Sequence, residues 1–128
     1  ECFHDHDWRK DVETIGCVPA DMVKSATEGK LLDKEWPAQL NKKVWALRND
    51  PKAMVLSIGQ VVPHEVMGMA NFNKNLFVGI GGVEAINLSH FIGAIIGMES
   101  MMGRARNPLR DILNYASDEF LHKNFEDT

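Results

Sequence analysis

Residues 53–59, Ala-Met-Val-Leu-Ser-Ile-Gly, form a nearly continuous apolar run, and Asn49-Asp50-Pro51 breaks the chain just before it. A short run that is apolar at successive positions reads as a strand buried on both faces, the habit of strands in helix-covered α/β sheets. The expected fold is therefore α/β: a partial Rossmann-like layered domain with a buried central strand and two long C-terminal helices. The run leads through Val61-Val62-Pro63 to His64. In open α/β sheets ligands sit outside the carboxyl ends of strands. Pro63 biases Val62 towards an extended conformation, which places His64 at a defined exit. A histidine there either caps the strand end or acts on a ligand.

The segments after His64 carry the other candidate groups. Lys74 stands between Asn73 and Asn75 and reads as a solvated loop lysine unless burial or a covalent partner gives it work. The glycine cluster at residues 79–82 permits close backbone approach before a helix, as a plain turn or as the seat of an anionic group. A helix is expected over residues 83–102. At 3.6 residues per turn His90 shares a side with Ile86, Gly93, Ala94 and Gly97, so the turns beyond it are nearly bare. That space suits a neighbouring helix or a cofactor. Asn107 and Pro108 open a last helix running to about Lys123, in which Arg110 contacts an anion or pairs with Asp111 or Glu84. His122 is expected at the surface.

Upstream, Pro19 starts a helix whose apolar stripe is Ala20, Met22, Val23 and Ala26, ended by Glu28-Gly29. Residues 36–40 read as a short extended piece, with Pro37 favouring an edge. Residues 41–48 fit either a helix or a strand. His4 and His6 would share one side of an extended segment, but a chain end is a poor metal site.

Composition limits the function classes. A chain of 128 residues, 45% hydrophobic and 25% charged, fits one ordinary soluble domain. A formal charge of -4 without a basic cluster argues against nucleic acid as a partner. No apolar run approaches a bilayer span, so a membrane-embedded protein is not expected. Two cysteines, Cys2 and Cys17, are too few for a disulfide framework and point to reduced thiols in a cytoplasmic protein. With no initiator methionine, the chain reads as a piece of a longer one.

The run from Pro63-His64 through Lys74 to His90 resembles the lactate racemase family, the enzymes dependent on a nickel-pincer nucleotide. The family pattern is Pro-His, a Gly-Phe-Ser-Gly-Gly-x-Lys loop, a Pro-Gly turn and an Asn-His on the next helix. His64, Gly68, Lys74, Gly79 and His90 fall at the pattern's positions without a gap. The elements His6-Asp7, Ile15-Gly16 and Leu40-Asn41-Lys42 also look similar to family segments.

This resemblance implies a 2-hydroxy-acid racemase or epimerase, acting on a small hydroxy acid or a sugar acid. It implies that Lys74 tethers the cofactor, pyridinium-3,5-bisthiocarboxylic acid mononucleotide nickel, through a thioamide. Gly79 would lie against that cofactor, His90 would be the axial nickel ligand, and His64 one of two histidines exchanging a proton with the substrate hydroxyl. Hydride leaves and returns on either face of a flat ketone-like intermediate. Neutral imidazole suits nickel and titrates near working pH, and a tether fixes orientation.

Departures qualify the resemblance. Ala70-Asn71-Phe72 replaces the family's Ser-Gly-Gly and Val78 its turn proline, which opens the way to a substrate of another size or shape than lactate. The upstream phosphate-binding segment, the second catalytic histidine and the large C-terminal domain have no counterpart here. The chain is thus expected to be part of an N-terminal domain, inactive alone, with the rest of its parent chain as partner and homo-oligomerisation possible. Three rivals stand beside this reading: a non-catalytic or cofactor-handling binding module of the same fold, a hydroxy-acid oxidoreductase using the same cofactor, and a plain domain in which His64 and His90 simply pack in a core.

Overall fold

The structure, a computed structural model, describes residues 2–30 and 33–125. It is a mixed α/β domain with two small antiparallel sheets and several helices. The larger sheet pairs β1 (Val12–Val18) with β2 (Trp36–Asn41), from Val12 opposite Asn41 to Val18 opposite Trp36. Its register shifts between Thr14 and Gly16, where the ring of Phe120 lies against Gly16 so closely that a Cβ would overlap it. Pro37 sits in this two-stranded ribbon, where every strand has a free edge to spare the missing N–H.

Between the strands runs α1 (Ala20–Ala26), which Pro19 precedes and the left-handed Glu28 and Gly29 follow. Directly after β2 comes α2 (Lys42–Ala46), which resolves the ambiguity of residues 41–48 in favour of a helix. The side chain of Asn41 decides it by accepting from the amides of Lys43 (2.9 Å) and Val44 (3.4 Å).

The apolar run of residues 53–59 departs from expectation. It is not a buried central strand: among the described residues it has no ladder partner, and Met54, Leu56 and Ile58 are 78%, 75% and 85% exposed. Apolarity alone does not make a strand, because the backbone groups need a neighbour to pair with. Only past its end does pairing begin, between β3 (Pro63–His64) and β4 (Gly68–Met69).

A π-helical turn (Asn75–Gly79) leads to α3 (Val83–Ile96). This helix stops earlier than the expected residue 102, because Gly97 takes φ +94°, and a short α4 (Met98–Met101) follows. Next comes α5 (Pro108–Ala116), capped by Asn107, whose side chain accepts from Arg110 N at 2.9 Å. It continues as a wide π turn (Ser117–Leu121).

The core lies between the β1–β2 ribbon and the helices α3 and α5. Trp36 is fully buried, meets Phe77 edge to face at 5.7 Å, and donates its indole N–H to Ser89 Oγ (3.2 Å) and Ala85 O (3.3 Å). Leu40, Ile92, Leu109 and Ile112 complete the packing around it. Among the described residues, no helix is long and apolar enough to cross a membrane.

Candidate functional site

The tight β3–β4 hairpin holds His64 by its own backbone. The amides of Val66 and Met67 both point at Nδ1, at 3.2 and 3.1 Å. An amide can only donate, so Nδ1 is the acceptor and the neutral ring carries its proton on Nε2. His64 therefore presents an N–H donor outward from a fixed, half-buried ring.

From β4 the chain passes to Lys74 through a loop in an unusual conformation. Asn71 and Phe72 have φ of 72° and 58°, the left-handed region that favours glycine. Side chains from outside the loop hold it there. Arg110, nearly buried on α5, donates Nη1 to Asn73 Oδ1 (2.6 Å) and Nη2 to the carbonyl of Met69. Asn73 Nδ2 in turn donates to Asn114 Oδ1 (2.8 Å) and Ser117 Oγ (3.2 Å). Asn75 Nδ2 donates to Asn71 Oδ1 at 2.7 Å. Lys74 follows directly, half-buried, and its Nζ makes no hydrogen bond or ion pair among the described residues.

His90 rises from the exposed side of α3. Its Nδ1 lies 2.8 Å from the carbonyl of Ile86, which can only accept, so Nδ1 carries the proton and the Nε2 lone pair is free. The bare positions beyond it have different fates. Gly93 is buried against Val66, so closely that a Cβ would come within 3.0 Å of Val66 Cγ1, while Ala94 is exposed. Close packing of α3 on the hairpin fills the space at Gly93.

Electrostatics show that these groups share one locality. Partial burial first, then the positive charge of Lys74, hold the His64 pKa below its ordinary 6.5; His90 and Arg110 add to the effect and Glu65 opposes it. Burial also lowers the pKa of Arg110, which stays charged. Lys74, His90 and Arg110, all distant from His64 in sequence, thus lie near enough for their charge to act on its ring.

The glycine cluster has a structural use. Gln39 Oε1 accepts from Ala85 N at 3.2 Å and occupies the start of α3, the seat an anionic group would take. Gly82 lies so close to the Gln39 side chain that a Cβ would overlap it. Gly79 is exposed at the end of the π turn, with no backbone or side chain nearer than Lys74 O at 4.0 Å from where a Cβ would be, so its surface is open. His6 is tied at both nitrogens, to Gly81 O (2.9 Å) and Asn41 Nδ2 (2.8 Å), while His4 Nδ1 meets Lys43 Nζ at 2.8 Å. These two histidines are structural ties. Cys17 is a free exposed thiol whose pKa is raised by desolvation and by Glu35 and Glu84.

Among the described residues, no three His, Cys, Asp or Glu side chains are grouped to hold a metal ion. A metal at His90 would have to draw its other donors from a cofactor. The residues present do fit a tethered one: a free imidazole lone pair at His90, an unengaged amine at Lys74 and an open surface at Gly79.

The bracing roles of Asn114 and Ser117 were not legible, and Arg110, expected to contact an anion or to pair with Asp111 or Glu84, pairs with neither; its partners are Asn73 and Met69. The one hint was the alternation of asparagines at 71, 73 and 75, each now seen in a side-chain bond.

No protein-family model matches the chain, and no curated protein matches it. A crystal structure of a Thermotoga maritima protein, from the Northeast Structural Genomics Consortium, is similar over 95% of this chain at 31% identity, with a TM-score of 0.78. The match covers 28% of that protein, so the present chain spans little more than a quarter of its length.

Proposed function

We propose that this chain is part of a lactate-racemase-like enzyme that racemises or epimerises a 2-hydroxy acid or a sugar acid. The observation that carries the reading is the conformation of Asn71 and Phe72. Both occupy positions where the resembling pattern has glycine, and both adopt the left-handed backbone that glycine favours. The loop ending at Lys74 therefore keeps the shape of a Gly-Gly segment in spite of its different residues. The finer architecture proposed is a Rossmann-like layer within a longer polypeptide.

In this reading Lys74 Nζ is the tether, His90 Nε2 the single protein ligand to nickel, and Gly79 part of the seat for the nickel-pincer nucleotide. When bound, that group would supply a reversible hydride acceptor. His64 serves the substrate oxygen. With Nδ1 accepting from two amides, its Nε2–H donates to that oxygen and orients it. Taking the hydroxyl proton requires Nδ1 to release those amides and the ring to change tautomer. In the state seen, His64 orients the substrate oxygen through a hydrogen bond, and moving a proton in either direction needs Nδ1 freed from those amides or a base from outside these residues. Arg110 holds the Lys74 loop and adds positive charge that favours an anionic substrate.

The engagement of His64 Nδ1 equally supports a binding module of the same fold, in which His64 recognises a hydroxy acid without turnover. Incubating the full-length protein, produced with the cofactor-synthesis machinery, with single enantiomers of 2-hydroxy acids separates the two. Isomerisation lost in His64→Ala supports the enzyme. Binding that persists with neither isomerisation nor ketone product supports the module, and accumulation of ketone marks an oxidoreductase.

A further inference from the structure

Residues 54–58 are extended, and their amides and carbonyls pair with no other backbone group among the described residues. The segment is held only at its sides and end. Ala70 N donates to Val62 O at 2.8 Å, Asn71 Nδ2 to Gly59 O at 3.1 Å and Asn75 Nδ2 to Ser57 Oγ at 3.0 Å. Met54, Leu56 and Ile58 fall on one side by the two-residue alternation of an extended chain, and all three are more than two-thirds exposed. An open cavity of about 420 Å³ lies between residues 55–59, Leu56 and Ile58 among them, and Val44, Leu76 and Ile80. The segment's apolar side chains are thus uncovered and its edge unpaired, a combination that soluble proteins normally cover.

We propose that residues 54–58 are a β-strand whose free edge receives an extended segment from the part of a longer polypeptide lying outside these 128 residues. The Thermotoga maritima protein supplies the scale, since the region similar to this chain is 28% of it and the remainder is ample for strands and cover. The incoming segment has backbone groups for the ladder, and apolar side chains beside it cover Met54, Leu56 and Ile58. A second copy of the chain pairing symmetrically would satisfy the edge but leave that face open, so the in-chain segment fits better. This inference is independent of the chemistry assigned to Lys74 and His90.

Hydrogen exchange read by mass spectrometry on the full natural polypeptide, at several concentrations, tests it. Amides of residues 54–58 are expected to exchange about 100-fold or more slower than in an unstructured peptide, equally at all concentrations. Exchange near the unstructured rate overturns the proposal. So does protection that disappears on dilution together with a dimer, which would assign the edge to a second copy.

Discussion

Arg110 Nη1 donates to Asn73 Oδ1 at 2.6 Å, tying the start of α5 to the residue just before Lys74. The same guanidinium reaches the Met69 carbonyl, so one cation spans both ends of the left-handed turn. Position 74 is therefore fixed by a residue far away in sequence.

Replacing that cation by a hydrocarbon tests the brace. Arg110→Met leaves Asn73 Oδ1 and the Met69 carbonyl without their donor, and hydrogen bonds to charged groups contribute about 1.5–3 kcal/mol. Denaturant titration should show a loss of roughly that size. Amide exchange should quicken at residues 69–75 more than in the β1–β2 ribbon. An unchanged midpoint with unchanged loop protection would show that the brace is idle.

Phe72 offers the reverse experiment. A non-glycine residue held in the left-handed region costs about 1–2 kcal/mol, and glycine returns about 0.5–1 kcal/mol of that through its freer unfolded chain. Phe72 is 61% exposed, and its ring centroid is 6.0 Å from the Arg110 guanidinium carbon, so little packing is lost with it. Phe72→Gly should match or slightly exceed the parent in thermal stability, while Phe72→Val, β-branched at φ 58°, should fall below it. A glycine variant less stable than the valine variant would contradict the strain account.

The protonation of His64 gives a pH signature. Its folded pKa lies below 6.5, so the unfolded chain takes up the proton first as pH falls. The contribution of His64 to stability is complete above about 6.5, the ordinary histidine value, and is lost as pH drops through the folded pKa. Nuclear magnetic resonance titration should give a midpoint below 6.5 that moves upward in Lys74→Gln, since the like charge is removed. An acyl-type bond at Lys74 Nζ removes the same charge, so tethering would bring His64 closer to working pH. A midpoint above 6.5, or one indifferent to Lys74→Gln, would show that the two groups do not face each other.

Much of the helical frame was legible because its signals are local. Pro19 before α1, Asn107 with Pro108 at α5 and the broad extent of α3 follow from capping and periodicity within a few residues. Gly97 was visible, but whether a glycine bends, packs or ends a helix depends on its neighbours, and here it ends one. The error at residues 53–59 is more instructive, because apolarity reported how the segment is best covered and could not report whether a partner strand is at hand. β1 went unread since Gly16 and the polar Glu13 and Thr14 blur its alternation, and its pairing with β2 is non-local. His64, Lys74 and His90 could be placed by spacing, whereas Arg110, Asn114 and Ser117 act on them across the fold and leave no local trace.

The functional reading depends most on Lys74 carrying a cofactor. The most direct measurement is the mass of the Lys74 peptide, with nickel content, from the full-length protein produced together with the cofactor-synthesis machinery. A mass adduct on Lys74, with nickel that is lost in His90→Ala while the adduct remains, is the predicted result. An unmodified Lys74 in nickel-free protein from those cells would contradict it.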